Sequence, residues 1–225
     1  MDIQEKNNLI EYLAQYLTLQ RKEKIEQILG NRTRHITLIL EDLFQEQNAS
    51  AIVRTAECYG LQYIHAVEKQ YRFRVVDGIS MGASKWASLI PYADIVDCFT
   101  HMKKQGYTIV AATPHTDSYL LSDVPIIDKT ALVFGAERYG LSEYVLQHAD
   151  SFFKIPMYGF TESFNVSVSV AISLSNIISR LHASSVNWHL SSQEIIDIRL
   201  DWYRRSIRAA HQLERKFFLD QTEMV

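Results

Sequence analysis

ALVFGAERYGLSEYVLQHADSFFKIPMYGFTESFNVSVSVAIS, residues 131–173, sets two apolar runs against glycine-punctuated turns and a cluster of small polar residues. Leu132–Phe134 stops at Gly135, as a buried strand does where backbone must bend or lie close to a ligand. Gly140 follows five residues later, and Phe152–Ile155 repeats the arrangement, ending at Pro156 and Gly159. Thr161, Ser163 and Asn165 then open a segment whose apolar positions, Val166, Val170, Leu174, Ile177 and Ile178, recur at helical spacing. Two strand ends thus deliver loops to one region, the place where open α/β sheets bind ligands.

Upstream, His35–Leu40 reads as a strand and Glu41–Gln47 as the loop at its end. Asn48 precedes the periodic run Ile52, Val53, Ala56 and Tyr59, closed by Gly60, so it is expected as the N-cap of a helix. A strand at Tyr63–Val67 completes a βαβ unit and implies a parallel sheet. The middle predicts a short helix near Ala83–Leu89, a strand at Ile95 and Val96, and a helix near Phe99–Gln105 ended by Gly106. Tyr107–Ala112 is a strand whose following loop, Thr113, Pro114 and His115, heads for the same ligand region. A helix starting near Ser142 joins the last two strands, and a long one covers about Val166–His182.

The ends are helical. Residues 5–29 predict one broken or two short amphipathic helices. After a polar linker, Ser191 and Glu194 form a capping box for a terminal helix. Its stripe of Ile195, Ile198, Trp202, Ala209, Leu213 and Phe217 needs either the chain's own core or a second copy, with Arg204, Arg208 and Arg215 opposite. The expected organisation is a helical extension over 1–32, an α/β domain over 33–182, and a linker with a C-terminal amphipathic helix over 183–225.

Composition narrows the partners. At 225 residues and 47% hydrophobic content, one sizeable core would bury roughly 70 to 75% of the unfolded surface. A net charge of −3 means that any nucleic acid must be met by a local basic patch. Cys58 and Cys98 sit among apolar neighbours and fit reduced thiols in a cytoplasmic protein. The beginning, MDIQEKNN, carries no leader pattern, and no apolar run approaches the roughly 20 residues of a membrane span, so no membrane partner is expected. Metal-ligand spacing is absent, so no metal site is predicted.

FGAERYG lacks the Lys and Ser/Thr of a P-loop, no GxGxxG follows a strand, and there is no GxSxG elbow. What remains is a site built largely of loop backbone, with Asn48, Arg54, Glu137, Ser163 and Asn165 as its polar members. From the residues alone this is a ligand-binding α/β domain and no more.

Three segments carry a resemblance: Asn48-Ala-Ser-Ala-Ile-Val-Arg54-Thr-Ala, Phe134-Gly-Ala-Glu137-Arg-Tyr-Gly140-Leu-Ser, and the run from Ile155-Pro-Met-Tyr-Gly159 through Ser163-Phe-Asn165-Val-Ser-Val-Ser-Val-Ala-Ile. In this order they resemble the three motifs of the SpoU/TrmH branch of the SPOUT RNA 2'-O-methyltransferases, over about residues 33–182. The resemblance implies a mostly parallel α/β sheet with a C-terminal trefoil knot, a homodimer, and S-adenosylmethionine as methyl donor. It places Thr113, Pro114, Gly135, Ile155, Pro156, Met157, Ser163 and Phe164 around the cofactor, with Phe164 standing where the family usually has leucine. Arg54, Asn48, Glu137 and Asn165 are then the expected catalytic set. For Arg54 the physically safer role is a cation that grips phosphate and stabilises the developing alkoxide, since a guanidinium with a pKa above about 12 is a poor base.

The short N-terminus and the helix RLDWYRRSIRAAHQLERK resemble the tRNA-specific type, which methylates the ribose of guanosine 18 in the D-loop; ribosomal RNA, or a binding role without catalysis, stays as an alternative. Arg32, Arg34, Arg180, Arg204 and Arg208 are the expected phosphate contacts.

Overall fold

In the computed structural model, residues 1–114 and 118–222 are described; His115, expected in the loop after the Tyr107–Ala112 strand, lies outside them. The chain forms two compact units, Thr33–Trp188 and a second made of Met1–Arg32 with His189–Val225. The second begins with α1 (Ile3–Ala14), started by an Asp2/Glu5 capping box, and α2 (Leu19–Leu29), capped by Thr18.

The larger unit runs β1 (Ile36–Glu41), α3 (Glu46–Cys58), β2 (Tyr63–Val67), α4 (Asp77–Ser80), β3 (Ser88–Tyr92), α5 (Ile95–Lys104), β4 (Thr108–Ala112), β5 (Tyr119–Leu120), β6 (Thr130–Phe134), α6 (Glu143–His148), β7 (Ser151–Lys154) and α7 (Val166–His182). Among the described residues the strands form one sheet in the order β3-β2-β1-β6-β4-β7-β5, and every pairing is parallel. A parallel sheet must be covered on both faces, and the alternation of side chains along each strand sorts the core accordingly. Leu38, Leu40, Val110, Leu132 and Phe134 pack with Ile52, Val53, Val170, Leu174 and Ile177 of α3 and α7. Ile39, Ile109, Ala111, Ala131 and Val133 pack with Ile95, Cys98, Phe99 and Met102 of α5 and Val145 of α6.

Three local expectations are corrected. Ile95 and Val96 are not a strand but the first turn of α5, because Asp94 at the N-cap accepts from Asp97 N at 2.9 Å. The segment 83–89 is a single 3₁₀ turn, Ala83–Lys85, followed by β3, whose Pro91 is tolerated because β3 lies at the sheet edge. Asn48 is not an N-cap; the N-cap of α3 is Gln45, three residues earlier, whose own side chain makes no capping bond.

In the terminal unit the expected single C-terminal helix is two, α8 (Ser192–Ser206) and α9 (Ala210–Thr222). Ile207, at φ −109° and ψ 119°, leaves the helical region between them. The Ser191/Glu194 capping box forms as expected. Tyr12 of α1 meets Phe217 of α9 at 5.2 Å between ring centroids, so the ends supply a partner for part of the apolar stripe. No helix among the described residues is long and apolar enough to cross a membrane.

Candidate active site

At the C-terminal ends of β4, β6 and β7 the sheet opens into a cleft of about 720 Å³. Its walls come from three loops, 112–114, 134–141 and 153–157, and from the N-terminal turns of α3 and α7. Gly135 makes the tight wall of the middle loop possible. An added Cβ there would lie 2.2 Å from Gly140 O, across a two-way bridge in which Ala136 N donates to Gly140 O (3.0 Å) and Gly140 N to Ala136 O (2.8 Å). Gly140 closes that turn at φ +68°, a conformation that disfavours any Cβ.

A polar relay crosses the cleft floor. Glu137 accepts from Phe44 N (Oε2, 3.2 Å) and Gln45 N (Oε1, 3.3 Å), fixing the backbone that leads into α3. A carboxylate there also meets the positive end of the helix dipole. Asn48 Nδ2 donates to Glu137 Oε1 (2.8 Å) and Gln45 Oε1 (3.1 Å). With its amide nitrogen committed to two acceptors, Asn48 turns its oxygen to Asn165, which donates through Nδ2 at 3.1 Å. Asn165 in turn caps α7, its Oδ1 accepting from Ser167 N (2.9 Å) and Ser167 Oγ (2.6 Å). Loop 134–141 and the starts of two helices are therefore tied together.

The structure brings most of the expected site together. Asn48, Glu137, Asn165, Thr113, Pro114, Gly135, Ile155, Met157, Ser163 and Phe164 all line the cleft, with Pro156 between two lining residues. Arg54 does not line it. Six residues along a helix turn the side chain about 120° away from Asn48 and carry it about 9 Å along the axis, and Arg54 is exposed on that shoulder.

The expected phosphate contacts fare differently. Arg32 is 1% exposed, with its guanidinium 5.1 Å from the Trp202 ring centre, so it is a buried packing element rather than a surface cation. Arg34 is half-buried, over Tyr63 and donating to Gln105 Oε1 at 3.3 Å. Arg180 spends its donors on Val124 O (2.6 Å), Leu121 O and Asn176 Oδ1, bracing the segment after β5. Arg204 is held by Glu214 across the α8/α9 break, at 2.7 and 3.1 Å. Arg208 is exposed.

Comparison with known proteins places the chain. Residues 35–175 match the SpoU rRNA Methylase family. The chain belongs to that family. A tRNA (guanosine(18)-2'-O)-methyltransferase of Borreliella burgdorferi is 40% identical over 196 residues, 87% of this chain and 90% of that protein. The enzyme of the same name from Thermus thermophilus is 36% identical over 70% of this chain and 81% of its own length. Among solved structures, an A. aeolicus TrmH/SpoU tRNA modifying enzyme superposes with a TM-score of 0.75 at 27% identity, covering 84% of this chain and 99% of that one. The mostly parallel sheet expected from the sequence is the fold of this family.

Several residues of the site were not singled out from sequence. Gln45 and Phe44 bind Glu137 through backbone N–H groups, which no side-chain pattern reports, and Gln45 also accepts from Asn48 through Oε1. Glu41, 6% exposed, accepts from Ser142 N at 2.9 Å and fixes the start of α6. Asp42 sits at φ +54° and accepts from Gln70 N and Tyr71 N at 2.7 and 2.9 Å. The signal available was two acidic residues closing the apolar run of β1, an expensive place for carboxylates without partners.

Proposed function

We propose that this chain transfers a methyl group from S-adenosylmethionine to the ribose 2'-hydroxyl of guanosine 18 of tRNA. The observation that carries the reading is the 40% identity to a protein of that name across 87% of this chain, with the motif residues converging on one cleft. Relatives named for tRNA weigh against a ribosomal substrate, although the family's description mentions rRNA.

The cleft suits the cofactor. Its volume, about 720 Å³, lies within the roughly 300–1,000 Å³ usual for small-molecule sites. Its walls at Thr113, Pro114, Gly135 and Ile155–Met157 offer backbone groups, and the missing Cβ at Gly135 keeps the middle loop against Gly140. When bound, the sulfonium supplies an electrophilic methyl carbon, with no metal required by the displacement itself. The chain's task is placement, an effect that can contribute roughly 7 to 11 kcal/mol to lowering a barrier. Asn48, Glu137 and Asn165 hold the cleft walls at fixed spacing. Arg54, on the shoulder of α3, faces the incoming RNA, where it grips phosphate and stabilises the alkoxide as the 2'-hydroxyl loses its proton to solvent.

The C-terminal trefoil threading goes with the family fold. A homodimer accounts for apolar side chains left uncovered near α7: Tyr158, Phe160, Phe164 and Val168 are all exposed, the first two completely. Two free cysteines, Cys58 and Cys98, support a cytoplasmic setting.

The test is transfer of labelled methyl to unmodified tRNA transcripts, with guanosine 18 replaced in a parallel sample. Labelling lost on replacement supports the reading. Labelling that persists moves the target nucleotide, and labelling of ribosomal RNA alone overturns the tRNA assignment.

A further inference from the structure

The segment joining β2 to α4, Glu68-Lys-Gln-Tyr-Arg-Phe-Arg-Val-Val76, takes no part in lining the cleft. After a bend at Lys69–Tyr71, its side chains from Gln70 to Val76 alternate between exposed and half-buried, as those of an extended chain do. Tyr71, Phe73 and Val75 are half-buried, with Phe73 and Val75 against the core beneath α3 and Tyr71 edge-on to Phe44 at 4.9 Å. Arg72 and Arg74 face solvent between them, and Lys69 is exposed just before.

The backbone of this segment is held in place. Asp42 Oδ1 takes Gln70 N and Tyr71 N, Glu68 Oε1 takes Phe73 N at 3.1 Å, and Ser50 Oγ of α3 takes Val76 N at 2.8 Å. Acceptors thus secure the backbone while the cationic side chains stay exposed. The segment also adjoins the cleft. Phe44, which touches Tyr71, donates its N–H to Glu137, and Arg74 Nη1 lies 3.5 Å from Glu46 Oε1, next in sequence to the cleft-lining Gln45. Arg54 stands one turn beyond Ser50 on the same helix.

Residues 69–74 hold three cations and no acid in a chain of net charge −3. The chain's own carboxylates do not account for them. Arg74 has only a long pair with Glu46, both side chains well exposed, which is worth little. Lys69 and Arg72 make no ion pair among the described residues. The arginines of α8 contrast with this: Arg199, Arg204 and Arg205 each meet a carboxylate at 2.6–2.7 Å.

We propose that Lys69, Arg72 and Arg74 form a fixed phosphate-binding strip that holds the backbone of the substrate RNA beside the cleft. The inference rests on the RNA reading above. A segment with outward Arg72 and Arg74 at alternate positions, and Lys69 exposed just before them, suits a polyanion whose charges repeat along a line, and its readout is electrostatic rather than base-specific.

The experiment measures binding of unmodified tRNA transcript across a salt series for the full-length protein, for Lys69→Ala/Arg72→Ala, and for the charge-conserving Lys69→Arg/Arg72→Lys. The double alanine variant is expected to bind more weakly and with a log–log salt slope shallower by about two. The charge-conserving variant keeps most of the wild-type slope. Affinity for S-adenosylmethionine and melting temperature should match wild type in both, since neither side chain is buried. A double alanine variant with the wild-type slope and affinity overturns the strip and leaves the methyltransferase reading standing. A wild-type protein that neither binds nor methylates any RNA overturns that reading, and the strip with it.

Discussion

Asn48 Nδ2 donates to Glu137 Oε1 at 2.8 Å, joining the first turn of α3 to the loop after β6 across 89 residues of sequence. Both oxygens of Glu137 accept hydrogen bonds, so the carboxylate ties the loop after β6 to the start of α3. The bond also fixes the amide orientation that lets Asn48 receive Asn165. Motifs far apart in the chain thereby share one rigid floor.

Glu137→Ala removes the acceptor of Phe44 N, Gln45 N and the buried Asn48 amide. Donors left without their acceptor predict a stability loss of about 1–2 kcal/mol in urea unfolding. Asn48→Asp sets a second carboxylate against Glu137, and misplacing the cleft walls by about 1 Å is expected to slow methyl transfer about 100-fold. A wild-type rate for Asn48→Asp in single-turnover assays would remove the relay from catalysis.

Gly135→Ala puts a Cβ 2.2 Å from Gly140 O, and the clashing atom is backbone. The loop must move, at a cost of about 1–3 kcal/mol, and cofactor affinity measured by calorimetry is expected to fall at least about tenfold, equivalent to about 1.4 kcal/mol. Gly159→Ala is the contrast, since its nearest neighbour is Thr161 N at 4.0 Å. Equal affinities for the two variants would mean that the cofactor does not rely on this wall.

The fold was legible wherever side-chain period and punctuation agreed. Leu132–Phe134 followed by Gly135, and the apolar helical run opened by Asn165, gave strand, turn and helix correctly; the structure adds that Asn165 caps α7. Asn48 misled because a cap-type residue before a periodic run is ordinarily the cap; here it lies inside the first turn and its amide binds a carboxylate 89 residues away. No single-sequence rule sees such a partner. The arginines misled for a related reason. Sequence shows charge, but only packing shows that Arg32 is buried against Trp202 and Arg204 bound to Glu214, whereas Lys69 and Arg72 are left facing water.

Arg54→Ala tests the shoulder of α3. The side chain is exposed, so stability should change by no more than about 0.5 kcal/mol. Methyl transfer at saturating RNA is expected to drop at least about 100-fold, the size associated with losing one charge-stabilising group, and Arg54→Lys should recover only part, since a lysine lacks the guanidinium fork. Transfer by Arg54→Ala at the wild-type rate would leave Arg54 as a surface charge.

His65 makes stability depend on acid. It lies in β2 at 4% exposure, its Nδ1 3.0 Å from Tyr92 Oη, and burial, then the nearby His101 and Arg34, push its pKa down from 6.5 to about 4. Between those values the unfolded chain binds a proton that the folded chain refuses, so unfolding free energy rises with pH. The contribution is fully present above about pH 6.5, is lost as pH falls towards 4, and amounts to about 3 kcal/mol at about 1.4 kcal/mol per unit. Urea midpoints between about pH 4.5 and pH 7.5 should show this slope in the wild type, and His65→Gln, which keeps an acceptor for Tyr92 but no titrating group, should flatten it by up to one proton. Identical slopes for the two proteins would place the acid sensitivity elsewhere, with His65 protonating in the folded state as readily as in the unfolded one.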